Sequence, residues 1–102
     1  MVHILLCCSA GMSTSMLVKK MRQAAEEKGV EAEIWAIPKA ELEENKDKAD
    51  VILIGPQIRY AINDVKKIAG SDKPVDVIDI RDYGTMNGKK VFDFALSKLD
   101  LK

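Results

Sequence analysis

Two adjoining stretches decide the fold: Val2-His3-Ile4-Leu5-Leu6-Cys7 and, directly after it, Cys8-Ser9-Ala10-Gly11-Met12-Ser13-Thr14-Ser15. The first is a short apolar run that ends at a turn, which predicts a buried β-strand. The second is small, polar and glycine-containing, and a helical repeat of apolar residues begins after it. Ser13 is a good N-cap candidate and Gly29 a good stop for that helix. The two stretches therefore predict a strand, a tight loop and a helix in immediate succession.

The remaining chain continues the alternation of strand and helix patterns. Residues 30–36 alternate apolar and polar side chains, which is typical of a half-covered strand at a sheet edge. Residues 50–55 form a second continuous apolar run, as expected of a central parallel strand. Residues 74–78 predict a short last strand. Helical patterns follow these strands, with a charged helix or loop over 38–48, a helix over 58–69, a loop through Asp82-Tyr83-Gly84 and a closing helix over 91–99.

This order predicts an α/β protein in which residues 1–102 form a single domain. Four parallel strands in the order 2-1-3-4, with helices on both faces, place the two continuous apolar runs in the middle of the sheet. Ligands of such sheets bind beyond the carboxyl ends of the strands, at the point where the strand order reverses. That point lies here between strands one and three, so we expect the loops Cys8–Ser15 and Gly55–Ile58 to meet there.

Composition and charge limit the classes of function. The 102 residues hold 16 basic and 16 acidic side chains, which argues against binding to nucleic acid or a membrane surface. No apolar run approaches the roughly 20 residues that span a bilayer, and the N-terminus lacks the pattern of a signal peptide. We therefore expect a cytoplasmic protein whose two cysteines stay reduced. No His, Cys, Asp or Glu spacing suggests a metal, and nothing suggests a cofactor.

The loop after the first strand has the chemistry of an anion site. Cys8 stands where a strand passes into a helix N-terminus, and the free backbone amides and helix dipole there favour a thiolate. The same amides suit a phosphate, and Gly11 permits the tight backbone path of a phosphate cradle. Hydroxyl donors are added by Ser9, Ser13, Thr14 and Ser15. A nucleophile and an anion cradle in one loop predict a covalent phosphoryl intermediate on sulfur, held mainly by the amides of residues 9–15.

Other candidate residues have a plainer interpretation beside the functional one. Cys7 is expected to point into the core as a small apolar residue. Gly55, Pro56 and Gln57 either form a second wall of the site or only turn the chain from strand to helix. Asp82 is expected in a loop and Tyr83 partly buried, with no assigned role. His3 is expected to be a packed strand residue.

Two alternatives to a phosphoryl carrier remain open on the residues alone. The low-molecular-weight tyrosine phosphatases use the pattern C-x-x-x-x-x-R-[ST] at this place, and this chain has Thr14 at the arginine position. Without the guanidinium fork the transferring phosphoryl group is less stabilised, which favours a carrier over a hydrolase. A receiver-like switch module would need an aspartate where the third strand ends, and this chain has Gly55 there.

The sequence resembles the enzyme IIB component of the lactose/cellobiose/diacetylchitobiose class of the bacterial phosphoenolpyruvate-dependent sugar phosphotransferase system. The resemblance covers essentially the whole chain and rests on three segments: 6–15, 50–58 and 74–79 followed by Tyr83-Gly84. It implies a fold similar to that of the low-molecular-weight tyrosine phosphatases, and a phosphocysteine at Cys8 rather than Cys7.

The resemblance also implies the reaction. A phosphohistidine on enzyme IIA would give its phosphoryl group to Cys8, and Cys8 would pass it to a disaccharide of the cellobiose or diacetylchitobiose type on the membrane component, enzyme IIC. The backbone of Ser9, Ala10, Gly11, Met12, Ser13, Thr14 and Ser15 would bind the phosphoryl group. We expect a monomer that docks transiently at the inner face of the membrane.

Overall fold

The computed structural model describes residues 1–8, 12–71 and 73–99. Its strands are β1 (Val2–Cys8), β2 (Ala32–Pro38), β3 (Val51–Ile54) and β4 (Val75–Val77). Its α-helices are α1 (Met12–Lys28), α2 (Leu42–Asn45), α3 (Ile62–Ala69), α4 (Ile80–Gly84) and α5 (Gly88–Lys98). Short 3₁₀ segments over Lys39–Glu41 and Lys46–Lys48 flank α2, and another over Pro56–Ala61 leads into α3.

The four strands form one parallel sheet in the order β2-β1-β3-β4. This confirms the predicted strand order and the α/β class. All four residues of β3 are buried, and so are residues 4–8 of β1. Because the two central strands are covered on both faces, they read as continuous apolar runs.

Two layers of helix cover the sheet, each with its own core. The first core lies under α1 and α5, and its buried residues include Leu17, Met21, Val91 and Phe92. The second lies under α2, the 3₁₀ segments and α3, and its buried residues include Leu42, Ile58, Val65 and Cys7. Successive side chains of a strand point to opposite faces, so β1 supplies Ile4 and Leu6 to the first core and Leu5 and Cys7 to the second.

Helix α1 starts two residues earlier than the capping argument predicts, since an N-cap at Ser13 would make Thr14 its first residue. It begins at Met12, so Ser13 is its second residue and the prediction of Ser13 as the N-cap is wrong. The predicted end is confirmed, because Gly29 follows Lys28 with a positive φ of 70°, a conformation that glycine adopts without steric cost.

Two further boundaries differ from the expectation. A loop is predicted through residues 82–84, but residues 80–84 form helix α4, whose N-cap Asp79 accepts hydrogen bonds from the backbone of Arg81 and Asp82. Strand β2 covers residues 32–38 instead of 30–36, and its last residue is Pro38. Proline is compatible with this position because β2 is an edge strand, where a missing N–H need not interrupt a ladder.

Candidate functional site at the carboxyl ends of β1 and β3

The carboxyl ends of the strands lie level with one another. Cys8 pairs with Pro38 across the β1–β2 ladder, and Cys7 pairs with Ile54 across the β1–β3 ladder. One step further on, the Gly55 N–H donates to the Cys7 carbonyl at 2.9 Å, and the Ile78 N–H donates to the Ile54 carbonyl at 2.9 Å. The reversal of strand order between β1 and β3 therefore brings the end of β1 next to the turn that starts at Gly55.

Cys8 is the last residue of β1 and is only 3 % exposed. Its Sγ lies 3.7 Å from the Ile37 carbonyl oxygen, as a weak thiol hydrogen bond to the neighbouring strand. Helix α1 begins four residues after Cys8, and its first turn (residues 12–15) contains no acidic residue. Cys8 thus precedes a helix N-terminus by four residues, and the first backbone N–H groups of a helix have no partner within it. To meet a reactant, Sγ must turn away from the Ile37 carbonyl.

Cys7 is fully buried in the second core, as predicted. Burial raises the pKa of its thiol to about 11; repulsion from Cys8 adds to the rise and the charge of Lys39 opposes it. Since a thiolate is the nucleophilic form of cysteine, Cys7 is inert at neutral pH. Of the two adjacent cysteines, Cys8 alone stands at the end of the strand where the loop begins.

Most of the predicted phosphate-binding loop lies outside the described residues. This is so for Ser9, Ala10 and Gly11, and for the side chains of Met12, Ser13 and Thr14. Ser15 is described and is exposed in the first turn of α1. The assignment of residues 9–15 to anion binding stays a prediction.

The predicted second wall does lie beside β1. Gly55 is buried, Pro56 half-buried and Gln57 exposed, and the Gln57 side chain folds back over Gly55. A Cβ atom at residue 55 would come within 2.9 Å of Gln57 Oε1, 3.7 Å of the Cys7 carbonyl oxygen and 3.8 Å of the Tyr83 ring. The last two distances are ordinary van der Waals contacts, so a Cβ at residue 55 would displace only the flexible end of the Gln57 side chain.

Tyr83 is a site neighbour to which the sequence argument assigned no role. Its partial burial was predicted and is confirmed. Its ring reaches Gly55 because α4 follows β4 directly and places Tyr83 at the same edge of the sheet. The signal that could have located it is Asp79, an N-cap residue type directly after the last strand. Asp82 lies within the same helix, so the prediction of a loop there is wrong.

His3 lies at the opposite end of the sheet from Cys8, near the start of β1. Its ring Nδ1 is 3.2 Å from Asp50 Oδ2, and Asp50 Oδ2 also accepts the His3 backbone N–H at 2.8 Å. An open cavity of about 600 Å³ also lies where strands begin, lined in part by Lys66, Lys67 and Lys73. Neither feature approaches Cys8, so neither belongs to the site. Among the residues that the structure describes, no helix is long and apolar enough to cross a membrane, and no three His, Cys, Asp or Glu side chains group as a metal site.

The fold and the site together define an open α/β protein with one cysteine at the switch point of a parallel sheet. Residues 3–94 match the family model described as "PTS system, Lactose/Cellobiose specific IIB subunit". The chain belongs to this family of the sugar phosphotransferase system, and it is a phosphotransferase component of sugar transport.

Individual relatives agree with this family. The chain is 47 % identical over 98 residues to the oligo-beta-mannoside-specific EIIB component of Bacillus subtilis (strain 168), with 95 % of each chain covered. It is 44 % identical over 98 residues to the cellobiose-specific EIIB component of Lactococcus lactis subsp. lactis (strain IL1403), with 90 % of this chain and 91 % of the relative covered.

Solved structures of the family have the same architecture. The solution structure of the cellobiose-specific IIB component of Borrelia burgdorferi superimposes with a TM-score of 0.79 at 42 % identity, covering 95 % of this chain and 90 % of that one. The lactose-specific IIB domain of Streptococcus pneumoniae superimposes with a TM-score of 0.83 at 16 % identity, covering 95 % and 96 %. The second likeness shows that the fold persists where little of the sequence does.

Proposed function

We propose that this chain is the phosphocysteine carrier of its transport system, with Cys8 as the residue that receives and passes on the phosphoryl group. The observation that carries the proposal is the position of Cys8. Cys8 ends a central strand at the switch point of the sheet. Helix α1 begins four residues later, and its first turn has no acidic residue. The adjacent Cys7 is fully buried in the core. A helix N-terminus favours an anion, and a dianionic phosphoryl group on sulfur is such an anion.

The reaction has two displacement steps at phosphorus. In the first, Cys8 loses its thiol proton and the thiolate Sγ attacks the phosphohistidine of enzyme IIA; the S–P bond forms as the N–P bond breaks, and the electron pair returns to the imidazole nitrogen, which can take up the proton. In the second, a sugar hydroxyl oxygen attacks the same phosphorus. The S–P bond then breaks, the thiolate is regenerated, and the hydroxyl proton leaves to a base.

The site supports holding the phosphoryl group more than hydrolysing it. Thr14 stands where a cysteine phosphatase has its arginine, so the clamp that stabilises the hydrolytic transition state is missing. Backbone amides of residues 9–15 would bind the phosphoryl oxygens, and Gly55, Pro56 and Gln57 would form the facing wall. Met12, Ser13 and Thr14 would contribute through the amide groups of the first helical turn.

Membership of the family supports a proposal for the partners and the sugar. The chain would act as one cytoplasmic domain and a monomer, taking the phosphoryl group from enzyme IIA and giving it to a disaccharide on enzyme IIC. The relatives named for oligo-beta-mannoside and cellobiose support a sugar of the cellobiose or diacetylchitobiose type. Growth on each disaccharide after deletion of the gene would identify the sugar.

The test compares the two adjacent cysteines. Wild-type protein phosphorylated by the upstream proteins should gain one phosphoryl group that iodine releases, and peptide mass spectrometry should place it on Cys8. Cys8→Ser should abolish sugar phosphorylation, whereas Cys7→Ser should keep it. If Cys7→Ser is the inactive variant, or if the purified protein hydrolyses aryl phosphates at an appreciable rate, the proposal is wrong.

A further inference from the structure

The peptide group that leads into Cys8 is held from the side of β3. The Gly55 N–H donates to the Cys7 carbonyl at 2.9 Å, and this carbonyl belongs to the same peptide group as the Cys8 nitrogen. Because a peptide group is planar, this hydrogen bond also fixes the direction in which the chain enters Cys8. On the other side, the ladder partner of Cys8 is Pro38, which has no N–H to donate. The backbone position of Cys8 therefore depends on the hydrogen bond from Gly55.

The Tyr83 ring borders the place where this hydrogen bond lies. A Cβ atom built on Gly55 would be 3.8 Å from Tyr83 Cε2 and 3.7 Å from the Cys7 carbonyl oxygen, so the ring and the carbonyl flank the same space. Gly55 is buried, although the third group at this point, the Gln57 amide, belongs to an exposed side chain. A hydrogen bond that is shielded from water is stronger than an exposed one. The ring is therefore placed to shield the bond that holds the end of β1.

Tyr83 is itself held in place by its backbone and its ring. Its N–H donates to the Asp79 carbonyl at 2.9 Å, and its carbonyl accepts the Met86 N–H at 3.1 Å. The Asp79 side chain caps α4 by accepting the Arg81 N–H at 2.8 Å. The half-buried ring packs against the first core, which lies under α1. The ring therefore connects the core under α1 with the turn at Gly55, and it is held more firmly than an exposed side chain.

We propose that Tyr83 is a positioning residue for phosphoryl transfer: its ring shields the hydrogen bond between Gly55 and the Cys7 carbonyl, and thereby fixes the backbone of the nucleophile. This inference rests on the proposed function, since it concerns the same nucleophile, Cys8. Tyr83 forms no bond to phosphorus and acts only through the backbone of its neighbours. Displacement of a reacting group by about 1 Å can slow the chemical step about a hundredfold, and a smaller shift slows it less. Loss of the ring should therefore lower the rate of transfer within the complex and leave the KM for the donor unchanged.

The first experiment measures the transfer of label from phosphorylated enzyme IIA to this chain at increasing donor concentration. Tyr83→Ala should lower the saturating rate about tenfold while KM stays within about twofold. Tyr83→Phe keeps the ring and should keep the saturating rate within about twofold. The matched control is Phe94→Ala, which removes another half-buried aromatic ring from the same core, on α5. It should lower the thermal unfolding midpoint as Tyr83→Ala does, and leave the saturating rate unchanged.

The second experiment follows hydrogen exchange of the shielded amide itself. The Ile52 N–H, which donates to the Pro74 carbonyl at 3.0 Å near the start of β3, reports opening of the whole sheet. Tyr83→Ala should speed exchange of the Gly55 N–H about fivefold relative to that of Ile52. Tyr83→Phe and Phe94→Ala should leave this ratio as in the wild type, because neither uncovers Gly55.

Three results would overturn the inference. An unchanged exchange ratio in Tyr83→Ala would show that the ring does not shield Gly55. A raised KM with an unchanged saturating rate would mean that the ring contacts the donor instead. A Tyr83→Phe variant as slow as Tyr83→Ala would assign the effect to the hydroxyl group and not to the ring. None of these results bears on the carrier assignment, which fails separately if Cys8→Ser protein still takes up iodine-labile label.

Discussion

The two helical layers that cover the sheet are built differently. The layer of α1 and α5 packs long helices on large side chains such as Phe92 and Met21, and the backbones of the two helices meet at Gly88 and Lys20. The layer of α2 and α3 packs short helices, and α3 contributes small residues such as Val65 and Ala69. There, lysine side chains donate to backbone carbonyls, Lys46 to Ile68 at 3.0 Å and Lys73 to Ala49 at 2.5 Å, whereas in the first layer Arg22 donates to the Ile34 carbonyl at 2.6 Å.

This difference bears on the proposed transfer reaction. Helix α1 carries the end of the Cys8 loop, and an anion site is effective only when its donors are held in fixed positions. The tightly packed layer therefore lies under the part of the chain with the strictest geometric demand. The layer with fewer large side chains carries the Pro56–Ala61 segment, in which the Tyr60 side chain is exposed.

The largest difference in the free energy of unfolding should come from truncating a large buried side chain in each helical layer. Phe92 and Leu42 are both fully buried. Phe92→Ala should lower the free energy of unfolding by about 3–5 kcal/mol, because the long helices cannot close over the cavity. Leu42→Ala should cost about 2–3 kcal/mol, near the low end for such truncations, because the four-residue α2 can settle inwards. Urea denaturation of both variants measures this order, and a costlier Leu42→Ala would contradict the contrast between the layers.

A methyl group at Gly88 should test the close approach of α1 and α5. A Cβ atom there would overlap the backbone of Lys20, so Gly88→Ala should destabilise the protein by about 1–3 kcal/mol. Gly84→Ala is the control, since a Cβ at Gly84 meets no atom within 4 Å and Gly84 lies in a helix. Its effect should stay within about 0.5 kcal/mol. Equal effects in thermal or urea unfolding would mean that the helix crossing tolerates a side chain.

Removing the hydrogen bond that Lys46 donates should have a smaller effect on stability, confined to the second layer. Lys46→Met keeps most of the side-chain stem and loses the hydrogen bond to the Ile68 carbonyl, so it should cost about 1 kcal/mol. Lys67→Met, at an exposed position of α3, should cost less than about 0.5 kcal/mol. Hydrogen exchange should show faster opening of α3 amides in the first variant and unchanged α5 amides in both. Faster exchange in α5 would show that the layers are not independent.

The smallest expected effect is the pH response of the His3–Asp50 pair, at the edge of the sheet remote from Cys8. Burial is the largest single influence and raises the pKa of Asp50, but hydrogen bonds from the His3 backbone and ring, with the charges of His3 and Lys73, together outweigh it, so this pKa lies below its ordinary value. A lowered folded-state pKa means stability that is present above the unfolded pKa of about 3.9 and is lost as pH falls through the folded one. Asp50→Asn should therefore flatten the decline of stability below about pH 4. Unfolding curves with an unaltered acid slope would falsify this assignment.

The sheet could be predicted because its signals are long and mutually consistent. The runs ending at Cys7 and Gly55 are continuous and apolar, which gives central strands, and the alternation in β2 gives an edge. Helix α4 escaped prediction because five residues are too few to show a period of 3.6. Strand β2 extends to Pro38 because pairing with Cys8 outweighs the weak β-propensity of proline at an edge.

The site was predictable in topology and less so in detail. The meeting of the turn at Gly55 with the end of β1 follows from the strand order alone, and the structure confirms it. The contact of Tyr83 with Gly55 depends on α4, so it could not follow from a sequence argument that treated residues 82–84 as loop. The orientation of Cys8 Sγ towards the Ile37 carbonyl is a rotamer choice that no sequence pattern encodes.

The alternation of side chains along β1 has a consequence for oxidative damage. Cys7 points into the second core, so the next residue, Cys8, points to the other side of the strand. A vicinal disulfide would need the strand to break its pairing, and burial keeps Cys7 protonated. If peroxide converts Cys8 to a sulfenic acid, its covalent neighbour cannot resolve that adduct, and rescue must come from a thiol outside the chain. Cys8 could then accept and release a phosphoryl group reversibly, but Cys7 would not protect it against further oxidation to sulfinic acid.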